Sequence, residues 1–284
     1  MNGILIVNKP KGITSRDVVN KISKIYKIKK IGHTGTLDPL ATGVLVLCIG
    51  NATKLVELLT SDDKEYIATV KIGVLTDTLD IDGKVIQERE DTLDENKLVN
   101  VLNSFIGEYE QEVPIYSAVK IKGKKLYEYA RENISVKLPK RCVTIKKIEL
   151  LECNDDYYKF KVNVSKGTYI RSLIKDINNK LGIIGVMSDL IRTKQGFFSL
   201  QDTFSILDVE KGKEKIFSIR EVLYNYDFIE INDKLYNKIK NGQLINNIYK
   251  NDIVAFTYKN DVVALYKTYD KDNSKMKPYK MFLN

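Results

Sequence analysis

Gly32-His33-Thr34-Gly35-Thr36-Leu37-Asp38-Pro39-Leu40-Ala41-Thr42-Gly43 is the most informative segment of the chain. Its three glycines, Gly32, Gly35 and Gly43, open backbone conformations closed to other residues, so the loop can be tight and lie close to a ligand. Pro39 biases Asp38 toward an extended backbone and removes one donor from the following peptide. The apolar run Val44–Ile49 comes next and reads as a strand buried on both faces, a rigid base for the loop. A carboxylate held at a fixed angle on such a base suits a nucleophile or a general base. Taken alone, an Asp-Pro in a Gly-rich loop is more often a simple turn.

Upstream, Ile4–Val7 reads as a short strand ended by Asn8-Lys9-Pro10-Lys11-Gly12. Ser15 is placed to cap a helix whose apolar face carries Val18, Val19, Ile22, Ile25 and Tyr26. Lys21, Lys24, Lys27, Lys29 and Lys30 occupy its other side, a pattern commoner for a solvated face than for a phosphate contact. Downstream, Glu65–Ile72 alternates, with Tyr66, Ala68, Val70 and Ile72 on one side. A calcium loop over Asp77–Gly83 is rejected, because that register puts Thr78 and Arg89 where acids are required. Thr92 and Glu95 form a capping box for a helix through Leu98, Val101, Leu102 and Phe105.

Leu126–Arg131 reads as a short helix, and Cys142–Leu150 and Tyr157–Val164 as strands. In Ser165-Lys166-Gly167-Thr168-Tyr169-Ile170-Arg171, Gly167 turns the chain into a helix with Ile170, Leu173, Ile174, Ile177 and Leu181 inward. Tyr169 and Arg171 then offer a phenol and a guanidinium to a carboxylate, which an arginine keeps ionised. A surface ion pair is the plainer alternative. From about residue 230 the texture changes to a helix over Asp233–Lys240 and a hairpin of Ile253–Tyr258 and Val262–Tyr266. Strands and helices without a regular βαβ repeat predict an α+β fold, divided into residues 1–229 and 230–284.

Composition narrows the chemistry. The 284 residues are 43% hydrophobic, enough for a core without disulfides or metal. One histidine and three unevenly spaced cysteines supply neither a zinc cluster nor a disulfide framework, and suit a reducing cytoplasm. No G-x-S-x-G elbow is present, so chemistry falls to carboxylates, tyrosines, lysines or arginines. No apolar run approaches the roughly 20 residues of a membrane span, and the first residues show no secretory cleavage pattern. The net charge of +9 is unevenly spread: +6 over residues 1–60, −9 over 61–112 and +10 over 113–200. Two basic blocks around an acidic one suit a single polyanion-binding face, with 61–112 turned away, although a Lys-rich composition also raises the charge.

Taken together, these segments resemble pseudouridine synthases of the bacterial tRNA pseudouridine-55 synthase type. Gly32–Gly43 matches that family's catalytic motif, and Asn8–Ser15 its opening motif. Lys64-Glu65-Tyr66, Thr76–Asp80, Pro114–Lys120 and Ser165–Arg171 follow in order, covering most of residues 1–200. Met276–Phe282 resembles more weakly a small C-terminal RNA-binding domain of PUA-like type. The resemblance implies a central mixed, mostly antiparallel sheet flanked by helices, plus a β-rich PUA-like domain over 230–284. It also implies isomerisation of uridine 55 in the tRNA T-loop, with Asp38 as the nucleophilic carboxylate. By the same transfer Arg171 pairs with Asp38, Tyr66 walls the pocket, Tyr169 lies nearby, Leu190 lines the floor and His33 wedges into the RNA.

An RNA-binding insert is expected near 120–150, with the Lys120–Lys125 stretch as its flexible binding part. The expected partner is the tRNA T-stem-loop, with no cofactor, metal, membrane or obligate protein partner. The isomerisation changes no oxidation state and needs no external energy. A stacked base must be extruded before a side chain reaches it, and an aromatic face such as that of Tyr66 replaces the lost stacking. A core tyrosine is equally compatible with the sequence around Tyr66. One rival is a non-catalytic tRNA-binding or folding protein on the same scaffold. A second is the RNA-guided synthase of archaea and eukaryotes, whose larger C-terminal domain the last residues match poorly. A third, a carboxylate-pair glycosidase, needs two acids flanking one bond, and no second motif acid is evident.

Overall fold

Ile4–Val7 and Val44–Ile49 lie side by side in the computed structural model, which describes residues 1–283, within antiparallel strands Gly3–Lys9 and Thr42–Ile49. Successive side chains of a strand leave by opposite faces. Leu5, Val7, Leu45, Leu47 and Ile49 pack on Val18, Val19 and Ile22 of the helix Ser15–Tyr26. Ile4, Ile6, Val44, Val46 and Cys48 share a cluster with Ala255, Leu265 and Phe282 of the C-terminal sheet. Burial on both faces is why these strands are uninterrupted apolar runs.

The main sheet has ten strands. Eight run in the order Ile216–Phe217, Gly3–Lys9, Thr42–Ile49, Gly185–Gln195, Lys64–Ile72, Tyr157–Val164, Lys140–Cys153 and Gly107–Glu112. Among the described residues its strands pair antiparallel except where Thr42–Gly43 runs parallel to Ile191–Arg192. This is the expected α+β arrangement. Beyond the Gly185–Gln195 strand only one face is covered. Tyr66, Ala68, Val70 and Ile72 join Tyr158, Phe160, Val162 and Val164 against helices Glu95–Asn103 and Ile170–Leu181. The other face is less buried, hence the alternation readable in both strands.

The C-terminal sheet has five strands, in the order Asp227–Glu230, Ile253–Tyr258, Asp261–Tyr269, Asp272–Met281 and Ile245–Asn246. Helix Asp233–Lys240 accompanies it. Lys259 and Asn260 take positive φ at the tip of the expected hairpin. Asn51 Nδ2 donates to the Phe282 carbonyl at 3.0 Å, Lys54 Nζ to that of Met281, and Lys280 pairs with Glu57 at 2.7 Å. These bonds and the shared apolar cluster lock the small sheet to the large one.

Several local expectations are corrected. Thr14, not Ser15, caps the first helix, in a reciprocal box with Asp17. Ser15 is buried and turned toward the Asp38 loop. Asp94 rather than Thr92 caps Glu95–Asn103, accepting from the Lys97 amide. The segment outside the main sheet is shorter than 120–150, because Lys140–Cys153 is a sheet strand and the Val113 amide donates to Pro139 O at 2.9 Å. Within that segment Lys120–Ile121 and Lys124–Lys125 pair as a hairpin before the helix Leu126–Arg131. Gly107–Glu112 is an edge strand that the sequence hides, since its acidic side chains face solvent.

Candidate active site

Asp38 lies between strand Ile31–His33 and strand Thr42–Ile49, in a loop braced from below by buried polar side chains. Lys9 Nζ, at the end of the first strand, donates to the carbonyls of Pro10, Pro39 and Ala41 at 3.0, 3.2 and 2.7 Å. Ser15 Oγ accepts from the Leu37 amide at 2.8 Å and donates to its carbonyl at 3.1 Å. Arg192 Nε donates to Val44 O at 2.7 Å and its Nη2 to Gly35 O at 3.1 Å. Gln195 Nε2 donates to Thr34 Oγ1. A loop whose carbonyls are satisfied in this way has little freedom to relax. Burial pushes the Lys9 ammonium down to about 8, against the attraction of Asp38.

Arg171, in the first turn of the helix Ile170–Leu181, meets Asp38 side-on. Its Nε stands 2.8 Å from Oδ2 and its Nη2 3.1 Å from Oδ1, a bidentate charge-assisted pair. The remaining donors go to Thr78 O and Tyr116 O, each at 3.0 Å. The Arg171 side chain is 6% exposed and that of Asp38 34%, so the guanidinium is sealed while the carboxylate still faces the cleft. Tyr169 is the residue before the helix, and its backbone is clamped by Gln111, which accepts from its amide at 2.7 Å and donates to its carbonyl at 3.1 Å.

These groups open on a cleft of about 460 Å³, within the size range of small-molecule sites. Asp38, Tyr66, Tyr169, Arg171 and Leu190 all line it. Tyr66 and Leu190 come from neighbouring strands in register, Ala68 facing Leu190 and Tyr66 facing Arg192. Lys64 stands in the same wall, donating to Thr60 O at 2.9 Å and Asp62 O at 2.5 Å, and burial pushes its ammonium down to about 8. His33 is not part of the lining. It pairs with Leu47 in the sheet, its Nδ1 is buried without a partner, and burial followed by the charges of Arg16 and Arg192 lowers its pKa, favouring the neutral ring.

Sequence reasoning missed a second acid. Asp80 Oδ2 stands 3.9 Å from Arg171 Nη1, and its Oδ1 accepts from Thr78 Oγ1 at 2.6 Å. Burial raises the Asp80 pKa, opposed by the Thr78 hydrogen bond and then by Arg171. The available signal was its place in Thr76–Asp80. The acidic block 61–112 therefore does not turn away as a unit: it supplies Lys64, Tyr66 and Asp80 to the site, because a central strand and the hairpin after it send side chains both ways. Lys9, Ser15, Gln111 and Arg192 were likewise invisible as site residues, since each acts on backbone carbonyls or amides distant in sequence.

Residues 23–170 match the family described as TruB family pseudouridylate synthase, N-terminal domain. The tRNA pseudouridine synthase B of Clostridium tetani is 49% identical over 245 residues, 85% of each chain. That of Geobacillus kaustophilus is 44% identical over 256 residues, covering 85% of this chain and 90% of its own. Among solved structures, one of an H/ACA RNP bound to a substrate RNA containing 2′-deoxyuridine superposes with a TM-score of 0.72 at 26% identity. One of a Cbf5–Nop10–Gar1 complex gives 0.72 at 27%. Each superposition covers 99% of this chain and 85% of the other, so the likeness extends through the C-terminal sheet. Sequence identity is nevertheless far higher to the bacterial tRNA enzymes than to these ribonucleoprotein chains. This chain belongs to the TruB family of pseudouridylate synthases, isomerases that convert uridine in RNA to pseudouridine.

Proposed function

We propose that this enzyme isomerises uridine 55 in the T-loop of tRNA, using the Asp38 carboxylate on a uridine flipped into the cleft. The observation that carries the reading is the side-on pairing of a cleft-facing Asp38 with a sealed Arg171 beside Tyr66 and Leu190. Arg171 grips both carboxylate oxygens and fixes the orientation in which they face the cleft, as a nucleophile requires. The Tyr66 ring takes over stacking from the RNA neighbours of the flipped base, and Leu190 supports the base from the floor. Tyr169 completes the polar wall beside Arg171, and His33 occupies the space the uridine leaves in the RNA. The N1–C1′ bond breaks and a C5–C1′ bond forms; C5 gives up its proton and N1 gains one, so the reaction balances without oxidant, reductant or cofactor.

The T-stem-loop lies along the basic segment 113–200, with the hairpin and helix around 120–131 against it. Residues 230–284 act as a PUA-like RNA-binding domain. The enzyme works in the cytoplasm without a protein partner. Mass spectrometry of unmodified tRNA incubated with the purified chain, with cyanoethylation marking the isomer, tests this directly. The expected result is one modified position, residue 55. Modification elsewhere contradicts the site, and tRNA that is bound but unmodified is the result for a non-catalytic binding protein.

A further inference from the structure

We propose that Arg192 is a positioning residue for this reaction: it ties the Asp38 loop to the strand that floors the cleft, and so sets the distance between carboxylate and base. The inference rests on the reading of Asp38 given above. Arg192 is 1% exposed, and among the described residues it forms no ion pair with an Asp or Glu. A guanidinium buried without a counter-charge is strongly disfavoured, and a hydrophobic side chain of similar size fills such a space more readily. Its presence there calls for a specific use of its donors.

Those donors go to the two ends of one loop. Gly35 O precedes Asp38 and Val44 O follows it, and Arg192 holds both. The fit is close: a Cβ on Gly35 would stand 3.3 Å from Arg192 Nη1. The Arg192 backbone holds the loop as well. Gly43, at φ +100, pairs with it in the parallel junction, and a Cβ there would fall 2.3 Å from Arg192 O. Leu190 lies two residues earlier on the same strand, and Tyr66 faces Arg192 across the sheet. One residue thus joins the loop bearing the carboxylate, the floor of the cleft and its aromatic wall. Lys9 and Ser15 grip the middle of the loop, at Leu37, Pro39 and Ala41, from a different strand and helix. They fix the loop's shape, whereas Arg192 fixes its place over the cleft.

The test compares wild type, Arg192→Met, Arg192→Lys, Gly35→Ala and Asp38→Asn as full-length chains. Single-turnover pseudouridine formation, tRNA affinity at two salt concentrations and thermal midpoint are measured for each. A displacement of about 1 Å costs a reaction roughly 100-fold, and a loss of that order is expected in Arg192→Met with tRNA affinity and its salt dependence unchanged. Arg192→Lys, which keeps one cationic donor, should recover part of the rate. Gly35→Ala pushes on the guanidinium without removing it, and should slow the reaction with the thermal midpoint nearly kept. If Arg192→Met does not fold, Gly35→Ala carries the test. A folded Arg192→Met, or failing that Gly35→Ala, reacting at the wild-type rate overturns the inference. So does a loss confined to tRNA affinity with a weaker salt dependence, which marks a phosphate contact instead. Failure of wild type to make pseudouridine overturns the functional reading itself. An active wild type with an inert Asp38→Asn and a full-rate Arg192→Met overturns only the role of Arg192.

Discussion

Lys9 has no exposed surface and donates to three carbonyls around the Asp38 loop. An ammonium has three N–H donors and a neutral amine two, so deprotonation orphans one of these carbonyls. With its pKa pushed down to about 8 by burial, turnover should decline as pH rises above about 8. A Lys9→Arg variant, which does not titrate there, should lack that decline. Folding stability should move the other way. The folded pKa lies below the ordinary lysine value of 10.5, so between about 8 and 10.5 the unfolded chain binds more protons and stability rises with pH. Lys64, also lowered to about 8, acts in the same sense. Buried Cys48, pushed up from 9.0 to about 12, opposes them once unfolded thiols ionise, which leaves the clearest gain between about 8 and 9. Denaturant titrations and turnover measured over that interval check both signs; a parallel fall of stability and activity contradicts the assignment.

At the scale of elements, the junction between the Asp38 loop and the Gly185–Gln195 strand depends on a missing side chain. A Cβ on Gly43 meets the backbone of Arg192, which cannot swing aside, whereas a Cβ on Gly12, at φ +86, meets nothing within 4 Å. Gly12→Ala should cost only the left-handed penalty of about 1–2 kcal/mol, and Gly43→Ala about 3–5 kcal/mol with loss of activity, read by urea denaturation. Equal costs for the two contradict the close approach. Most elements were legible before the structure because burial leaves a period in the sequence. The helix Ile170–Leu181 and the strands Lys64–Ile72 and Tyr157–Val164 are one-sided, and Thr42–Ile49 is covered on both faces. Gly107–Glu112 was not legible, because a polar edge strand is specified by its neighbour Lys140–Cys153 rather than by its own pattern. The site divides in the same way. Asp38, Tyr66, Tyr169, Arg171 and Leu190 were reached through motif resemblance, and Asp38 and Arg171 also through residue chemistry. Asp80, Ser15 and Arg192 were missed, since only folding brings them to Arg171, Leu37 and Gly35.

At the scale of the whole molecule, the two sheets share one apolar cluster, in which Ala255, Leu265 and Phe282 meet Ile4, Val44 and Val46. The C-terminal sheet therefore completes the face of the strands that support the Asp38 loop. Calorimetry should show a single cooperative transition for the full chain, and two well-separated transitions would contradict this coupling. Removal of residues 227–284 should lower the thermal midpoint and promote aggregation by baring that face. In the proposed reaction one carboxylate, oriented by one buried arginine, acts on an extruded uridine of tRNA. Tritium release from tRNA carrying 5-tritiated uridine, with wild type against Asp38→Asn, tests this most directly. Wild type should release the label from one uridine per tRNA, and Asp38→Asn should release none while keeping its tRNA affinity, its thermal midpoint lowered because sealed Arg171 loses its carboxylate partner. Release by Asp38→Asn at an undiminished rate would contradict the account.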